Sequence, residues 1–276
     1  MDAYAHAAEI VRTNDRDRYL ADLFAPEPAR RHLFALHAFN SEVARVRDTV
    51  SEPGLGEIRL QFWHDAIRSG GAGHPAGQAL AETIAAFELP LDAFDNLIEA
   101  RRFDLYDDPM PSLNDLEGYA GDTSSSLIQL GAIILAGGRD PGTAEIAGHV
   151  GVAYALAGLM RALPLHASRG QSYLPADLLE EHAVEPETLL AGETSPALLA
   201  ALAELRSVAR RHIETARGLI GAIDPAVLPA FLPVALVGPQ LDRMDRAGFD
   251  PFAVGGDLSQ LRRQWILWRA ARRRTI

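Results

Sequence analysis

Apolar residues recur at steps of three and four along nearly the whole 276-residue chain, and no stretch alternates apolar and polar as a half-buried strand would. A chain patterned this way folds as an assembly of helices. The clearest case is 35–52, ALHAFNSEVARVRDTVSE, where Leu36, Phe39, Val43, Val46 and Val50 form one apolar stripe. The stripe predicts one long helix from near residue 29 to residue 50, ended where Pro53 and Gly54 follow Glu52. Arg45, Arg47, Asp48 and Glu52 lie on or beside that stripe. Asp48 sits one turn above Ala44, so its carboxylate aims toward the inside of a bundle and needs a partner there.

The same periodicity predicts helices over 3–13, 17–24, 57–68, 78–87, 91–106, 113–135, 144–163, 176–181, 195–223 and 258–273, with proline-kinked helix over 225–249. Ser112 is an N-cap with Asp115 in the capping-box position, and Ser195 caps a helix that has Pro196 first. The glycine-rich stretch 69–77 and the segment 169–175 read as loops. Composition does not shift along the chain and no repeat occurs at a fixed period, so 1–276 reads as one domain of eight to ten helices.

With 48% hydrophobic residues the chain has ample core. There is no cysteine, which excludes disulfides, thiolate metal sites and cysteine nucleophiles. A net charge of −11 argues against nucleic acid as a partner. All 26 basic residues are arginine, which points to a GC-rich bacterial genome. The first residues have no apolar run of signal-peptide type, so the cytoplasm is the expected compartment. The longest apolar runs, 127–135, 150–160 and 226–238, fall short of the roughly 18 residues that span a bilayer.

Several separated stretches agree in order with one family. Residues 35–48, Arg59-Leu60 with Trp63, Asp104 followed by Tyr119-Ala120-Gly121, and the loop 169–175 together resemble the squalene/phytoene synthase family over nearly the whole chain. The resemblance implies the all-α isoprenoid synthase bundle around a central cavity. Family enzymes condense two prenyl diphosphates head to head. Mg²⁺ neutralises the leaving diphosphate and is held by two aspartate-rich motifs on facing helices. Laid on this chain, the first motif, DDxxD, falls on 44–48 and keeps only Asp48. The second, NxxRDxxxD, falls on 158–166 and keeps only Arg161. The loop keeps Arg169, Gly170, Tyr173, Leu174 and Pro175. Arg45 would stand where a metal sits. At about 4 Å and an effective dielectric near 20, each such charge pair is worth roughly 4 kcal/mol. No metal ligand is therefore expected, and Mg²⁺ enters only if the chain is an active enzyme.

The patterns AFNxExAxVxDxVSE and RxQFW resemble one subgroup more closely, the complex I assembly factors of this family and their bacterial relatives. That resemblance implies loss of prenyl transferase activity and a role in assembling respiratory complex I. The expected relic positions are Asp48, Asp104 and Arg161, and the expected cavity residues are Arg45, Arg47, Asp48, Asp104, Arg161, His166, Arg169 and Tyr173. These charges either neutralise one another, Asp48 pairing with Arg45 or a facing Arg161, or present guanidinium groups to a prenyl diphosphate or phospholipid head group. Arg169 and Tyr173 are expected to hold the loop's shape. His166 with His149 or His182 has no metal-ligand spacing, and Ser124, Ser125 and Ser126 beside Asp122 lack the setting of a catalytic serine.

The expected function is an assembly or scaffolding factor with a residual prenyl or lipid pocket. An active head-to-head prenyl transferase and a lipid or prenyl-diphosphate binding module are the alternatives. The expected partners are complex I subunits, a prenyl lipid, and a membrane surface. The last follows from the closing helix, where Arg262, Arg263, Arg269, Arg272, Arg273 and Arg274 accompany Trp265 and Trp268. The expected location is therefore the cytoplasm, peripheral on the inner membrane. The opposing reading docks that helix on the acidic body by its own charge.

Overall fold

A computed structural model describes residues 2–71, 73–253 and 258–276, and among these no strand occurs. The helices are α1 (Ala3–Asn14), α2 (Arg16–Asp22), α3 (Glu27–Ala44), α4 (Val46–Thr49), α5 (Pro53–Arg68), α6 (Pro75–Phe87), α7 (Leu91–Ala100), α8 (Leu113–Ala120), α9 (Ser126–Leu135), α10 (Ala144–Arg161), α11 (Leu163–Ala167), α12 (Ala176–Glu181), α13 (Pro186–Leu190), α14 (Pro196–Leu219), α15 (Val237–Met244) and α16 (Gln260–Arg273). Proline near the first position starts several of them, where its missing N–H costs nothing. Ser112, Ser195 and Ser259 each accept a backbone N–H at the start of α8, α14 and α16.

The helices form two main apolar cores that meet along α9. Leu127, Leu130 and Ile134 of α9 join the core built by α1, α3, α5, α6 and α7. Ile128 and Ala132 join the core built mainly by α8, α10, α12, α14 and 227–244. A smaller cluster seats α16 on α2 and 228–236 through Leu267, Ala270, Ala21 and Leu232. In α3, Leu33, Leu36 and Phe39 are fully buried, and Phe39 meets the rings of Trp63 and Phe94 edge-on, each at 5.6 Å.

Four predicted helices are broken, and the one expected over 91–106 ends at Ala100, ahead of a 3₁₀ turn at Phe103–Leu105. The one expected from 29 to 50 stops at Ala44. Arg45 leaves the helical region at φ −94°, ψ 4°, and α4 resumes at Val46. The turn keeps Val46 buried while Arg47 and Asp48 reach different partners. The one expected over 113–135 contains a wide turn at Gly121–Ser125, of the π type that accommodates one extra residue. Here α10 crosses at backbone distance: a Cβ on Gly151 would lie 2.4 Å from Ser125 Cα. The Ser125 hydroxyl donates to the Gly148 carbonyl at 3.0 Å. The one expected over 144–163 ends at Arg161, and α11 follows after Ala162. The short helix α13 was not predicted. The proline-rich segment 225–236 is two tight 3₁₀ stretches rather than a kinked α-helix.

Candidate functional site

The site is organised by the segment 169–175, in which a turn through Gly170 at φ 74° leads into the irregular stretch 171–175 and successive residues serve opposite sides. Arg169, Gln171 and Tyr173 face a polar cluster. Arg169 pairs with Asp48, Gln171 Nε2 donates to the Asp104 carbonyl at 2.8 Å, and Tyr173 Oη donates to Asp104 Oδ1 at 2.7 Å. Gly170, Ser172 and Leu174 line a cleft on the other side.

Asp104 is the centre of the cluster. It follows α7 in a single 3₁₀ turn, Phe103–Leu105, and is 6% exposed. Its Oδ1 also accepts from Tyr119 Oη at 2.7 Å, and its Oδ2 pairs with Arg101 at 3.0 Å. Arg101 reaches Tyr119 Oη as well, at 2.7 Å. Burial alone would discharge Arg101, but the oxygens of Tyr119 and Asp104 outweigh it and hold the guanidinium charged. Burial, and after it the Asp104 carboxylate, pushes the Tyr173 phenol upward. Burial does the same to Tyr119, so both phenols stay protonated and donate. His166 packs against Tyr173 at 4.6 Å between ring centroids with the rings tilted by 49°, and burial lowers it to about 4, so its ring is neutral at pH 7.

The structure brings Asp48, Asp104, His166, Arg169 and Tyr173 together and separates three other expected residues. Arg45 corrects the sequence reading. It is exposed, donates to Asn14 Oδ1 at 3.0 Å, and lines a surface pocket of about 280 Å³ with Glu42, Arg59 and His74. Its guanidinium makes no ion pair with Asp48 among the described residues, because the turn at Arg45 points it outward; the two residues meet only through the Asp48 N–H, which donates to the Arg45 carbonyl at 3.0 Å. Arg47 pairs with Asp107 at 3.3 Å, at the rim of the cleft. Arg161 lies beside Asp17 of α2 at 3.8 Å and not beside Asp48, so the expected Asp48–Arg161 pairing is also corrected. Asp17 is buried and meets Arg263 of α16 at 3.3 Å too.

Sequence reasoning gave no role to Arg101, Gln171 or Asp17. Asp17 sits in the run Asp15-Arg16-Asp17-Arg18, which reads as a solvated face, yet α2 packs this face inward. The signal available was that run's position before an apolar helix. For Arg101 it was a three-residue step to Asp104.

A divalent cation needs several carboxylate oxygens free to turn toward it. Here Asp48 is engaged by Arg169, and both oxygens of Asp104 are engaged by Arg101, Tyr119 and Tyr173. These residues do not fit Mg²⁺. Among the described residues no three His, Asp or Glu side chains are placed to hold a metal ion. The cleft beyond the loop has a volume of about 560 Å³, with Leu174, Leu179, Val184 and Leu189 in its walls and Asp107, Glu180 and Glu185 among its polar groups. No described helix is long and apolar enough to cross a membrane.

Comparison with known proteins accounts for this architecture. Residues 11–269 match the model of the squalene/phytoene synthase family. NADH dehydrogenase (ubiquinone) complex I, assembly factor 6, of Rattus norvegicus is 31% identical over 255 residues, 91% of this chain and 76% of that protein. Phytoene synthase of Thermus thermophilus is 26% identical over 267 residues, covering 95% and 90%. Among solved structures, a dehydrosqualene synthase superposes with a TM-score of 0.84 at 18% identity, covering 98% of this chain and 96% of that one. Squalene synthase HpnC from Alicyclobacillus acidocaldarius superposes with a TM-score of 0.79 at 22% identity, covering 91% and 95%. These likenesses identify the isoprenoid synthase fold, and with the matched model they lead to one conclusion: the chain belongs to the squalene/phytoene synthase family.

Proposed function

We propose that this chain is a non-catalytic family member that serves as an assembly factor for a respiratory NADH dehydrogenase of the complex I type, in the bacterial cytoplasm. The observation that carries the reading is the internal neutralisation of Asp48 and Asp104. The family's chemistry requires open carboxylates around a metal and a diphosphate. Here the chain's own Arg169, Arg101, Tyr119 and Tyr173 occupy those oxygens. The 31% identity to assembly factor 6 across most of the chain supports the same reading. The bundle then acts as one rigid domain, and Asp48, Asp104, His166, Arg169 and Tyr173 lock loop 169–175 in place.

The test is deletion of the gene in its source cell, with respiratory complexes resolved on native gels. Assembled NADH dehydrogenase should fall and subassemblies accumulate, and the gene supplied in trans should restore assembly. Normal levels of assembled enzyme in the deletion strain would sink the proposal.

One observation favours an added binding role. The cleft of about 560 Å³ is apolar in its walls and fits a prenyl or other lipid chain. Native mass spectrometry of the purified chain should find such a lipid retained one to one, and Leu179→Arg should empty it.

A further inference from the structure

The outer face of α16 carries features that the assembly reading does not use. The helix has 14 residues and is therefore about 21 Å long. Its inner side is anchored: Leu267 and Ala270 are buried, and Arg263 meets Asp17. Its outer side is unlike the surface of a soluble helix. Leu261 is 80% exposed, Trp265 55% and Trp268 51%, and their spacing of four and three sets them in one stripe. Arg262, Arg269, Arg272 and Arg273 flank that stripe, and all are exposed.

These arginines are not held by the acidic body. Among the described residues, Arg262, Arg269, Arg272, Arg273 and Arg274 have no carboxylate within ion-pair distance. Arg269 instead lies over the ring of Trp265 at 5.3 Å, and Arg272 over Trp268 at 5.7 Å. Arg263 alone docks inward. The expectation that charge attraction to the body accounts for this helix therefore fails for the other five. Between the two stacked pairs, Trp265, Trp268, Arg269, Arg272 and Arg273 line a shallow cleft of about 340 Å³. No acidic residue occurs from Leu258 onward, while the remainder of the chain, without these six arginines, carries −17.

We propose that this face docks on an anionic bilayer surface, with the indoles at the level of the head groups and the guanidinium forks on lipid phosphates. Three features select a bilayer over a protein groove. The face is open and its cleft is shallow, so it suits a planar, deformable surface. Indole rings favour the boundary between apolar chains and water. Guanidinium groups match phosphate oxygens in pairs. The net negative charge on the remainder of the chain gives the docking a direction, because an anionic surface repels it on average.

The experiment is sedimentation of the full chain with vesicles of phosphatidylcholine alone or mixed with phosphatidylglycerol. The mixed vesicles should bind and the neutral ones should not, and binding should weaken as salt is raised. The triple variant Arg269→Gln, Arg272→Gln, Arg273→Gln should bind on the order of a hundredfold more weakly. Trp265→Ala with Trp268→Ala should lose binding to the same vesicles. All five side chains are exposed, so both variants should keep the wild-type melting temperature. Trp63 is buried, so an emission blue shift on binding reports the two helix indoles. No sedimentation with mixed vesicles, or equal binding by the triple variant, overturns the proposal. So does a concentration-dependent dimer that the tryptophan variant abolishes while vesicles are ignored. Either result leaves the native-gel test of assembly untouched.

Discussion

Replacing Asp104 by Asn separates a structural lock from a working metal ligand. The substitution keeps size and leaves one oxygen able to accept from Tyr119 and Tyr173. It removes the charge that faces Arg101 at 3.0 Å, with side chains only 8% and 16% exposed. Breaking one side of a buried ion pair costs about 3–5 kcal/mol, because the remaining charge has no compensation. With roughly 2.1 cal/mol/K of unfolding entropy per residue, 3 kcal/mol lowers the melting temperature of a chain this size by about 5 °C. Asp104→Ala should cost more, since two buried phenols also lose their acceptor at about 1–3 kcal/mol each. Arg101→Met combined with Asp104→Leu should recover the part of the loss that comes from the unpaired Arg101 charge, while Tyr119 and Tyr173 still lack their acceptor. Urea unfolding of the four proteins at pH 7 measures this. A carboxylate kept for metal binding behaves the opposite way: removing it relieves repulsion and leaves stability equal or higher. An Asp104→Asn protein as stable as the parent would refute the lock.

Three further outcomes follow from the geometry. Gly151→Ala should destabilise by about 1–3 kcal/mol, read by urea unfolding, because its Cβ meets Ser125 backbone atoms that cannot move independently. His166 titrates near 4 in the folded chain and near its ordinary 6.5 when unfolded. Its neutral ring therefore contributes fully above about pH 6.5 and loses that contribution as pH falls toward 4, by at most about 3 kcal/mol; His166→Gln should flatten unfolding free energy across that window. The Asp48–Arg169 pair is about one-third exposed on each side, so a double-mutant cycle with Asp48→Asn and Arg169→Gln should give under about 1 kcal/mol, whereas the Asp104–Arg101 cycle should give several times more.

The start signals of helices were legible because they are local. Ser112 and Ser195 cap α8 and α14 as their sequences imply, and α12 occupies 176–181 as predicted. The break at Arg45 was invisible because the apolar stripe continues through it: Val43 and Val46 keep their three-residue step and both stay buried across the turn. A periodic pattern records which side chains face the core, and it is blind to one changed backbone angle. The wide turn at 121–125 was hidden for the same reason, although Gly148 and Gly151 opposite a run of small residues marked the close crossing.

At the site, residue types were legible and partners were not. Asp48 was expected to aim inside the bundle but is exposed, and its cation, Arg169, lies 121 residues away and is supplied by tertiary structure. Arg45 and Arg161 were nearer on paper and point elsewhere, Arg45 to Asn14 and Arg161 to Asp17. The loop gave the best information. Arg169 and Tyr173 were expected to hold its shape and do so, while the division between the polar side of Arg169, Gln171 and Tyr173 and the cleft side of Gly170, Ser172 and Leu174 comes from the fold.

The most direct test of the closed site is incubation of the purified chain with farnesyl or geranylgeranyl diphosphate, with and without Mg²⁺, beside an active family enzyme. Pyrophosphate release and extracted products are followed together. Asp48 and Asp104 engaged as described give no release above background in either condition. Mg²⁺-dependent release with a condensed prenyl product would mean that those carboxylates open to metal, and the non-catalytic reading would fall.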